Sequence, residues 1–518
     1  MLDTNVLATF GAGSLLIYLY LRRQRQSPYS SLPLPPGPKP LPVIGNLLQM
    51  PSRHEPQVYE QWGRDYNSDI IYLNLAGSSV VIVNSAAAAN ELLERRSSTY
   101  SGRPASQMCN LMGFGNLVSL VPYGDKWRAM RRLLHREFHP QAILRYIPNE
   151  IEAAHDFLRR LLDSPDDFSE SITHLFGRII MDLTYGIKVE PQGDPRIRTA
   201  KLAAEALAEA ASPGAFYVEP LPFLRHVPEW MPGASFKTKA REWHLLADAM
   251  YNIPFNTTKE TLANGTQAAS FVAKCLEDIP RSTSQSDKDQ QEDLIKETAG
   301  TMYAAGTDTT ASSVKTFILS MLLNPEIQAK AQKELDEVVG HGNLPDFSHQ
   351  DSLPYVNAIV KETLRWGPVT PQGIPHVVAA EDAFEGYRIP AGTIVIGNAW
   401  AMLHDETVYP NPSKFSPERF LDSEGRIDPT VKDPAHAAFG FGRRICPGRY
   451  LAMSSLYIAV ASVLATLNIE KAVDADGLPI TPSGDYTPNG LIVSPLDFKV
   501  SIRPRSEAAK AAILSTST

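Results

Sequence analysis

The sequence predicts a mainly α-helical chain with small β-sheets, preceded by a single N-terminal transmembrane helix. Three observations carry that expectation. Long stretches of helical character, among them Gln285 to Leu323, Tyr355 to Trp366 and Tyr450 to Thr466, dominate the second half. Runs rich in β-branched residues are few and short, as in Ile70 to Gly77 and Ser79 to Asn84. Finally, Asn5 to Leu21 carries no charge and is succeeded at once by Arg22, Arg23 and Arg25.

Composition narrows the function classes. With 518 residues, 43% hydrophobic and 20% charged, the chain can bury a substantial core and lies far from disordered compositions. A net charge of −8 leaves no basic excess to neutralise phosphates, which excludes a nucleic-acid binder. Cys109, Cys275 and Cys446 are too few and scattered for a disulfide framework, so the main domain is expected to face a reducing compartment. The sequons at Asn256 and Asn264 are accordingly read as unmodified.

The apolar run Asn5 to Leu21 is at the lower length limit for spanning a bilayer, and the arginines behind it place the bulk of the protein in the cytosol. A cleaved signal peptide would carry its charge in front and a small-residue cleavage site behind. The chain is therefore divided into an anchor over residues 1–22, a basic and proline-rich linker over 23–50, a catalytic domain over 51–506 and a flexible tail over 507–518. Within the linker, Leu32 to Gly45 has too many prolines for helix or central strand and favours a stiff, extended connection. The same composition suits an SH3 or WW ligand; its position between anchor and domain favours a spacer.

Ile70 to Gly77 and Ser79 to Asn84 form a hairpin around a Gly-Ser-Ser turn, and Ala86 to Arg95 is helical. The long stretch Tyr100 to Tyr123 is punctuated by Gly, Ser and Pro and carries Met108, Leu111, Met112 and Phe114. Loops of that length are usually functional, although the same side chains suit core packing equally well. Helix Asp125 to Phe138 sets Trp127 and Arg131 on one face, where an indole N–H and a guanidinium can hold one carboxylate. Arg128, Arg132 and Arg136 give its other sides a basic surface suited to an acidic partner.

Helical patterns over about 150–188 and Thr199 to Ala211 carry no obvious chemistry. Tyr217 to Phe236 mixes prolines with aromatics, and Phe223, Trp230 and Met231 suit either a membrane interface or a packed loop. Gln285 to Leu323 reads as one long helix ended by Asn324-Pro325. In its middle, Ala305-Gly-Thr-Asp-Thr-Thr310 weakens the helix, and a hydroxyl bonding back to the preceding turn can open it locally. Glu362 and Arg365 are three apart on the next helix, which alone is an ordinary surface pair. Glu385 to Ile396 reads as a hairpin, and Glu424 to Ala438 as a polar meander.

Phe439 to Ala452, FGFGRRICPGRYLA, delivers Cys446 just before the helix Tyr450 to Thr466. A thiolate there is favoured by the helix dipole and free N–H groups, and Gly440, Gly442 and Gly448 let backbone lie close to a flat cofactor. Cys446 is thus read as an axial ligand to haem iron, against the alternative of a buried structural cysteine.

Phe439, Gly442, Arg444, Cys446 and Gly448 spell FxxGxRxCxG, accompanied by Glu362-Thr-Leu-Arg365, the PERF run ending at Phe420 and AGTDTT at 305–310. In that combination the chain resembles the cytochrome P450 superfamily from about Pro33 to Arg505. The resemblance implies the cytochrome P450 fold and haem b with its iron on Cys446. Trp127, Arg131, His376, Phe439, Arg444 and Gly448 would bind the cofactor, and Glu362, Arg365 and Arg419 would form a buried network locking the cysteine loop. Thr309 and Asp308 would deliver protons during oxygen activation, while Phe114, Ala305, Thr370, Ile374 and Leu491 would line the substrate pocket. The implied reaction inserts one oxygen atom of dioxygen into an apolar small molecule. Electrons would come from NADPH-cytochrome P450 reductase, with cytochrome b5 as a further partner. The anchor and PPGP segment are similar to those of microsomal members, implying a single-pass protein of the endoplasmic reticulum membrane with a cytosolic catalytic domain. The chain looks most like filamentous-fungal members that tailor terpenoids or polyketides. A haem-thiolate isomerase or dehydratase not using dioxygen, or a non-enzymatic haem sensor, are the alternatives.

Overall fold

The computed structural model describes residues 28–211, 215–219, 221–488 and 490–516. The transmembrane reading of Asn5 to Leu21, with its arginines, lies outside the described residues. Helix α1 is Glu55–Asp65, and the strands β1 (Ile70–Leu75) and β2 (Ser78–Val83) come next. The short α2 (Gln107–Leu111) precedes α3 (Asp125–Phe138), α4 (Ile147–Asp163), α5 (Phe168–Tyr185), α6 (Pro195–Ala211) and α7 (Ser235–Ala263). Then come α8 (Gln285–Gly306), α9 (Asp308–Leu323), α10 (Pro325–Val338) and α11 (Pro354–Trp366). Strands β3 (His376–Val377), β4 (Asp382–Phe384), β5 (Tyr387–Ile389) and β6 (Ile394–Gly397) lead to α12 (Arg449–Thr466). The chain closes with β7 (Leu467–Lys471), β8 (Val500–Pro504) and α13 (Glu507–Ser515).

The mainly helical expectation holds, and two apolar clusters explain how the helices stack. One gathers Phe157 of α4, Ile172 of α5, Phe317 of α9, Ile359 of α11 and Val460 of α12. The other joins Met130 of α3, Ala203 of α6, Met250 of α7 and Met302 of α8. Helix α12 is apolar on every side and buried continuously from Ser455 to Thr466, as a helix without a polar face must be. Its length and composition would suit a membrane span, but 72% of it is buried inside the protein, which makes it a core helix.

The main sheet runs β1-β2-β6-β3. Strands β1 and β2 are antiparallel, β6 lies parallel to β2 with Val80 opposite Ile394, and β3 is antiparallel to β6 with His376 opposite Val395. Two turns differ from the expectation. The first hairpin turns at Ala76-Gly77, whose φ values of 49° and 96° give the twist of a two-residue hairpin, so Ser78 and Ser79 belong to β2. The second turns at Glu385-Gly386 and pairs β4 with β5, while β6 leaves to join the main sheet. Pro390 offers no N–H, and the partner of β6 is set by β2, some three hundred residues earlier.

Three further expectations are refined. The proline-rich segment is extended but stitched to the domain: Tyr72 N–H donates to Pro36 O at 2.8 Å and Arg388 N–H to Pro33 O at 2.8 Å. Residues 86–95 are helical, with the second part wound as a π-helix from Asn90 to Arg95. The segment expected as a flexible tail contains α13, docked through the buried Ala509 and Ile513.

Candidate active site

The long helix expected over 285–323 is two helices, α8 and α9, broken at Thr307. Thr309 Oγ1 donates to Ala305 O at 2.7 Å and Thr307 Oγ1 to Tyr303 O at 3.3 Å, the back-bonding that loosens a helical turn. Gly306 is required by close approach: a Cβ there would lie 2.3 Å from Ile180 Cδ1 of α5. At the break Ala305 is exposed, while Asp308 and Thr309 are half-buried. Burial pushes the Asp308 carboxyl up to about 6, with Lys315 opposing, Glu205 adding and Lys201 opposing.

Cys446 is anchored by its own N–H, which donates to Phe439 O at 2.8 Å, and its carbonyl accepts from Arg449 Nη1 at 3.1 Å. The residue keeps some accessible surface, yet enough protein surrounds the sulfur that burial is the largest influence and raises the thiol's pKa. The Gly448 N–H, then Arg131 and Arg449, oppose it by favouring the thiolate. A Cβ at Gly440 or Gly448 would meet no protein atom within 4 Å, so both border open space. Gly442 has a different role from the one expected: its absent Cβ would sit 2.1 Å from Leu93 O, so it packs the loop against the π-helix. Cys109 and Cys275 are buried among core side chains of the second cluster.

A cluster of cations converges beside this loop. The Arg444 guanidinium lies 4.5 Å from the Trp127 ring centre and donates to Ser101 O at 2.9 Å, Val118 O at 3.2 Å and Val121 O at 2.9 Å. Arg103 donates to Ser119 O, Ile374 O and Pro375 O, each at 2.8 Å. Burial and the nearby Arg444 bring Arg103 down to about 9, and burial with Arg131 brings Arg444 down to about 10. Arg131 of α3 is lowered as well, by burial first. His376 is buried on β3, with Nδ1 2.6 Å from Tyr100 O, and burial plus Arg103 pushes it to about 3, so it is neutral. Among the described residues no carboxylate pairs with Arg103, Arg131 or Arg444. Buried cations without counter-charge demand an anion, and a flat group bearing carboxylates next to a free thiol fits that demand. Arg103 escaped the sequence reading because a single arginine in a Gly-Pro loop carries no periodic or motif signal.

The expected Glu–Arg–Arg network is present. Arg365 donates Nε to Glu362 Oε2 at 2.7 Å and Nη2 to Oε1 at 2.8 Å, and Arg419 Nε reaches Glu362 Oε1 at 3.1 Å. Ser416 N–H adds a bond to Glu362 Oε1 at 2.8 Å, Arg365 Nη1 holds Leu403 O at 3.1 Å, and Arg419 Nη1 holds Pro410 O at 2.9 Å. The segment leading toward the cysteine loop is thereby pinned to α11.

The pocket candidates divide. Thr370 and Ile374 are half-buried on the loop from α11 to β3. Leu491 sits on a hairpin tied to that loop by Val493 N–H to Val369 O at 2.8 Å, and to α9 by Ser312 Oγ to Val493 O at 2.7 Å. Phe114 is completely buried with its ring 6.2 Å from that of Tyr251, and Met108 and Met112 are also buried, so these side chains pack the core. Tyr217 and Trp230, each 79% exposed, and Phe223, 64% exposed, stand out from the surface.

A family model described as Cytochrome P450 matches residues 35–500. The chain is 46% identical to cytochrome P450 monooxygenase 98 of Postia placenta, over 99% of this chain and 98% of that protein. It is 43% identical to cytochrome P450 monooxygenase ple1 of Rhodocybe pseudopiperita, over 93% and 91%. Tryptamine 4-monooxygenase of Psilocybe cyanescens is 42% identical, over 95% and 96%.

Proposed function

This chain belongs to the cytochrome P450 family, and from that premise we propose that it oxidises an apolar small molecule, a fungal terpenoid or polyketide, with dioxygen and NADPH-derived electrons. It is a monooxygenase, and it binds haem whose iron is ligated by a cysteine thiolate. Haem supplies the oxygen-activating chemistry when bound. Cys446 is assigned as the ligand, held by the Phe439 carbonyl and the turn into α12. Arg103, Arg131 and Arg444 would take the cofactor's carboxylates, while neutral His376, whose N–H is spent on the Tyr100 carbonyl, has no second N–H to give them.

The observation that carries oxygen use, as opposed to haem binding alone, is the break between α8 and α9. Thr309 Oγ1 is fixed on the Ala305 carbonyl, so its hydroxyl can hold one proton donor in a set direction. Burial raises the carboxyl of Asp308 next to it to about 6, which suits a group that takes up and releases protons. An isomerase, a dehydratase or a sensor would have no use for that pair. One relative is named for tryptamine. The pocket positions Ala305, Thr370, Ile374 and Leu491 offer no carboxylate for an ammonium, so an apolar substrate is the better match.

Electrons would come from NADPH-cytochrome P450 reductase, with cytochrome b5 as a second donor, docking on the basic face of α3. Among the described residues Arg132 forms no ion pair, whereas Arg128 pairs with Asp125 at 2.5 Å and Arg136 with Asp278 at 3.0 Å. A single-pass anchor in the endoplasmic reticulum, with Tyr217, Phe223 and Trp230 dipping into the same bilayer, agrees with their exposure. The deciding experiment reconstitutes the enzyme with reductase and screens a lipophilic panel for spectral displacement of the haem water and for product. Substrate-dependent NADPH consumption with an oxygenated product supports the reading; conversion without NADPH overturns it.

A further inference from the structure

A cavity of about 190 Å3 lies away from the cysteine loop, between the start of α1, the end of α11, the short helix Ala399–Leu403 and the hairpin arm at Tyr486. Glu55, Gln57, Trp366, Trp400, Asp485 and Tyr486 are among its walls. Glu55 is 3% exposed. Its Oε2 accepts one hydrogen bond, from Gln372 Nε2 at 2.8 Å, and among the described residues no Lys, Arg or His forms an ion pair with it. The N-terminus of α1 favours its negative charge, yet burial outweighs the Gln372 bond and raises the carboxyl's pKa. Gln57 Oε1 has no hydrogen-bond partner among the described residues, but it also has almost no accessible surface, so it does not present itself to the cavity.

These walls lack what the Glu55 carboxylate wants, a donor carrying positive charge. They hold two carboxylates, Glu55 and Asp485, and no lysine or arginine; the exposed His54 at the rim is the one basic side chain. Around the acceptors stand aromatic rings, with Trp366 and Tyr486 edge to face at 6.2 Å. One face of Trp400 is already covered by His404 at 4.2 Å, and Tyr486 Oη is engaged with Thr316 Oγ1 at 3.3 Å, so the rings offer carbon surface more than donors. Aromatic faces attract cations, and they do so most where water is excluded. No group of three or more metal-ligating side chains occurs among the described residues, which disfavours a metal ion. The volume is below the roughly 300 Å3 at which drug-sized sites begin, so the occupant must be small.

We propose that this cavity binds a small organic ammonium ion, a primary or secondary amine with an aromatic or alkyl body, through Glu55 and the rings of Trp366 and Trp400. An N–H donates to Glu55, while the body lies against the indoles. The site borders the α11–β3 loop and the hairpin that carry Thr370 and Leu491, and it does not rest on the substrate proposed above.

The test uses the full-length, haem-loaded enzyme with its iron saturated by a neutral azole, so that an amine cannot bind at the metal. Calorimetric titration with phenethylammonium chloride is compared with 2-phenylethanol, of the same shape but uncharged. The amine should bind wild type at least roughly tenfold more tightly than the alcohol, and Glu55→Gln should remove at least roughly tenfold of that affinity while the azole-bound spectrum is unchanged. Absence of amine binding to wild type, equal affinity for amine and alcohol, or undiminished binding to Glu55→Gln each overturns the proposal. Should Glu55→Gln fail to yield folded haem protein, the amine-against-alcohol comparison on wild type decides alone.

Discussion

Glu362 and Arg365 meet in a two-pronged ion pair, 2.7 and 2.8 Å long, in which both side chains are wholly inaccessible to solvent. On an exposed helix the same spacing contributes a few tenths of a kcal/mol. Here Arg419 and the Ser416 N–H complete the shell around the carboxylate, so removing its charge strands two guanidiniums in the interior. Glu362→Gln should cost about 3–5 kcal/mol, and little folded haem protein should be recovered. Arg426→Ala, which disrupts an exposed pair with Asp422, should cost under about 1 kcal/mol. Similar denaturation midpoints for the two variants would show that the network does not hold the cysteine loop.

The three cysteines make a controlled comparison. Cys446→Ala should abolish haem incorporation or the thiolate signature of the ferrous–CO spectrum. Cys109→Ala and Cys275→Ala, both at buried core positions, should keep that signature even if they lose some stability. A normal spectrum from Cys446→Ala would refute the ligand assignment.

Thr309→Ala should leave haem content and substrate binding near wild type, because one hydroxyl bonded to the preceding turn contributes only about 1 kcal/mol to the fold. It should uncouple the enzyme, so that NADPH is oxidised and hydrogen peroxide appears in place of product. Asp308→Asn should instead slow NADPH oxidation, since it affects proton supply and not proton placement. Undiminished coupling in Thr309→Ala would take the proton-placing role away from this residue.

Glu150 gives a pH dependence with a definite sign. It is fully buried at the start of α4 and accepts from Ser454 Oγ at 2.7 Å and Ser455 Oγ at 2.5 Å, while Oε2 has no partner among the described residues. Burial, against those two hydroxyls, raises its carboxyl from 4.5 to about 7. Between those values the folded state holds a proton that the unfolded chain has lost, so stability falls as pH rises and the full loss, about 3 kcal/mol, applies above pH 7. Glu150→Gln should match wild type near pH 5 and exceed it in thermal midpoint at pH 8. Parallel profiles across that range would show that Glu150 is not the titrating group.

Features whose physics is local, or whose spacing is set within one helix or loop, are legible in the chain alone. The apolar wrap of Leu451 to Thr466, the threonines that weaken 305–310, the cysteine placed just ahead of a helix and the spacing of Glu362 and Arg365 can all be read without a partner. Which distant groups meet them is a matter of the folded molecule. Glu362 and Arg365 become a buried lock because Ser416 and Arg419 close over them. β6 leaves its apparent hairpin because β2 offers a parallel edge. Phe114 packs against Tyr251, and the cation cluster acquires Arg103 because the loop after residue 100 folds back onto β3 and the cysteine loop. Spacing along a chain specifies which side chains share a turn. Burial and pairing depend on segments hundreds of residues away, and those set whether an ordinary ion pair, glycine or arginine becomes structural, packed or poised for an anion.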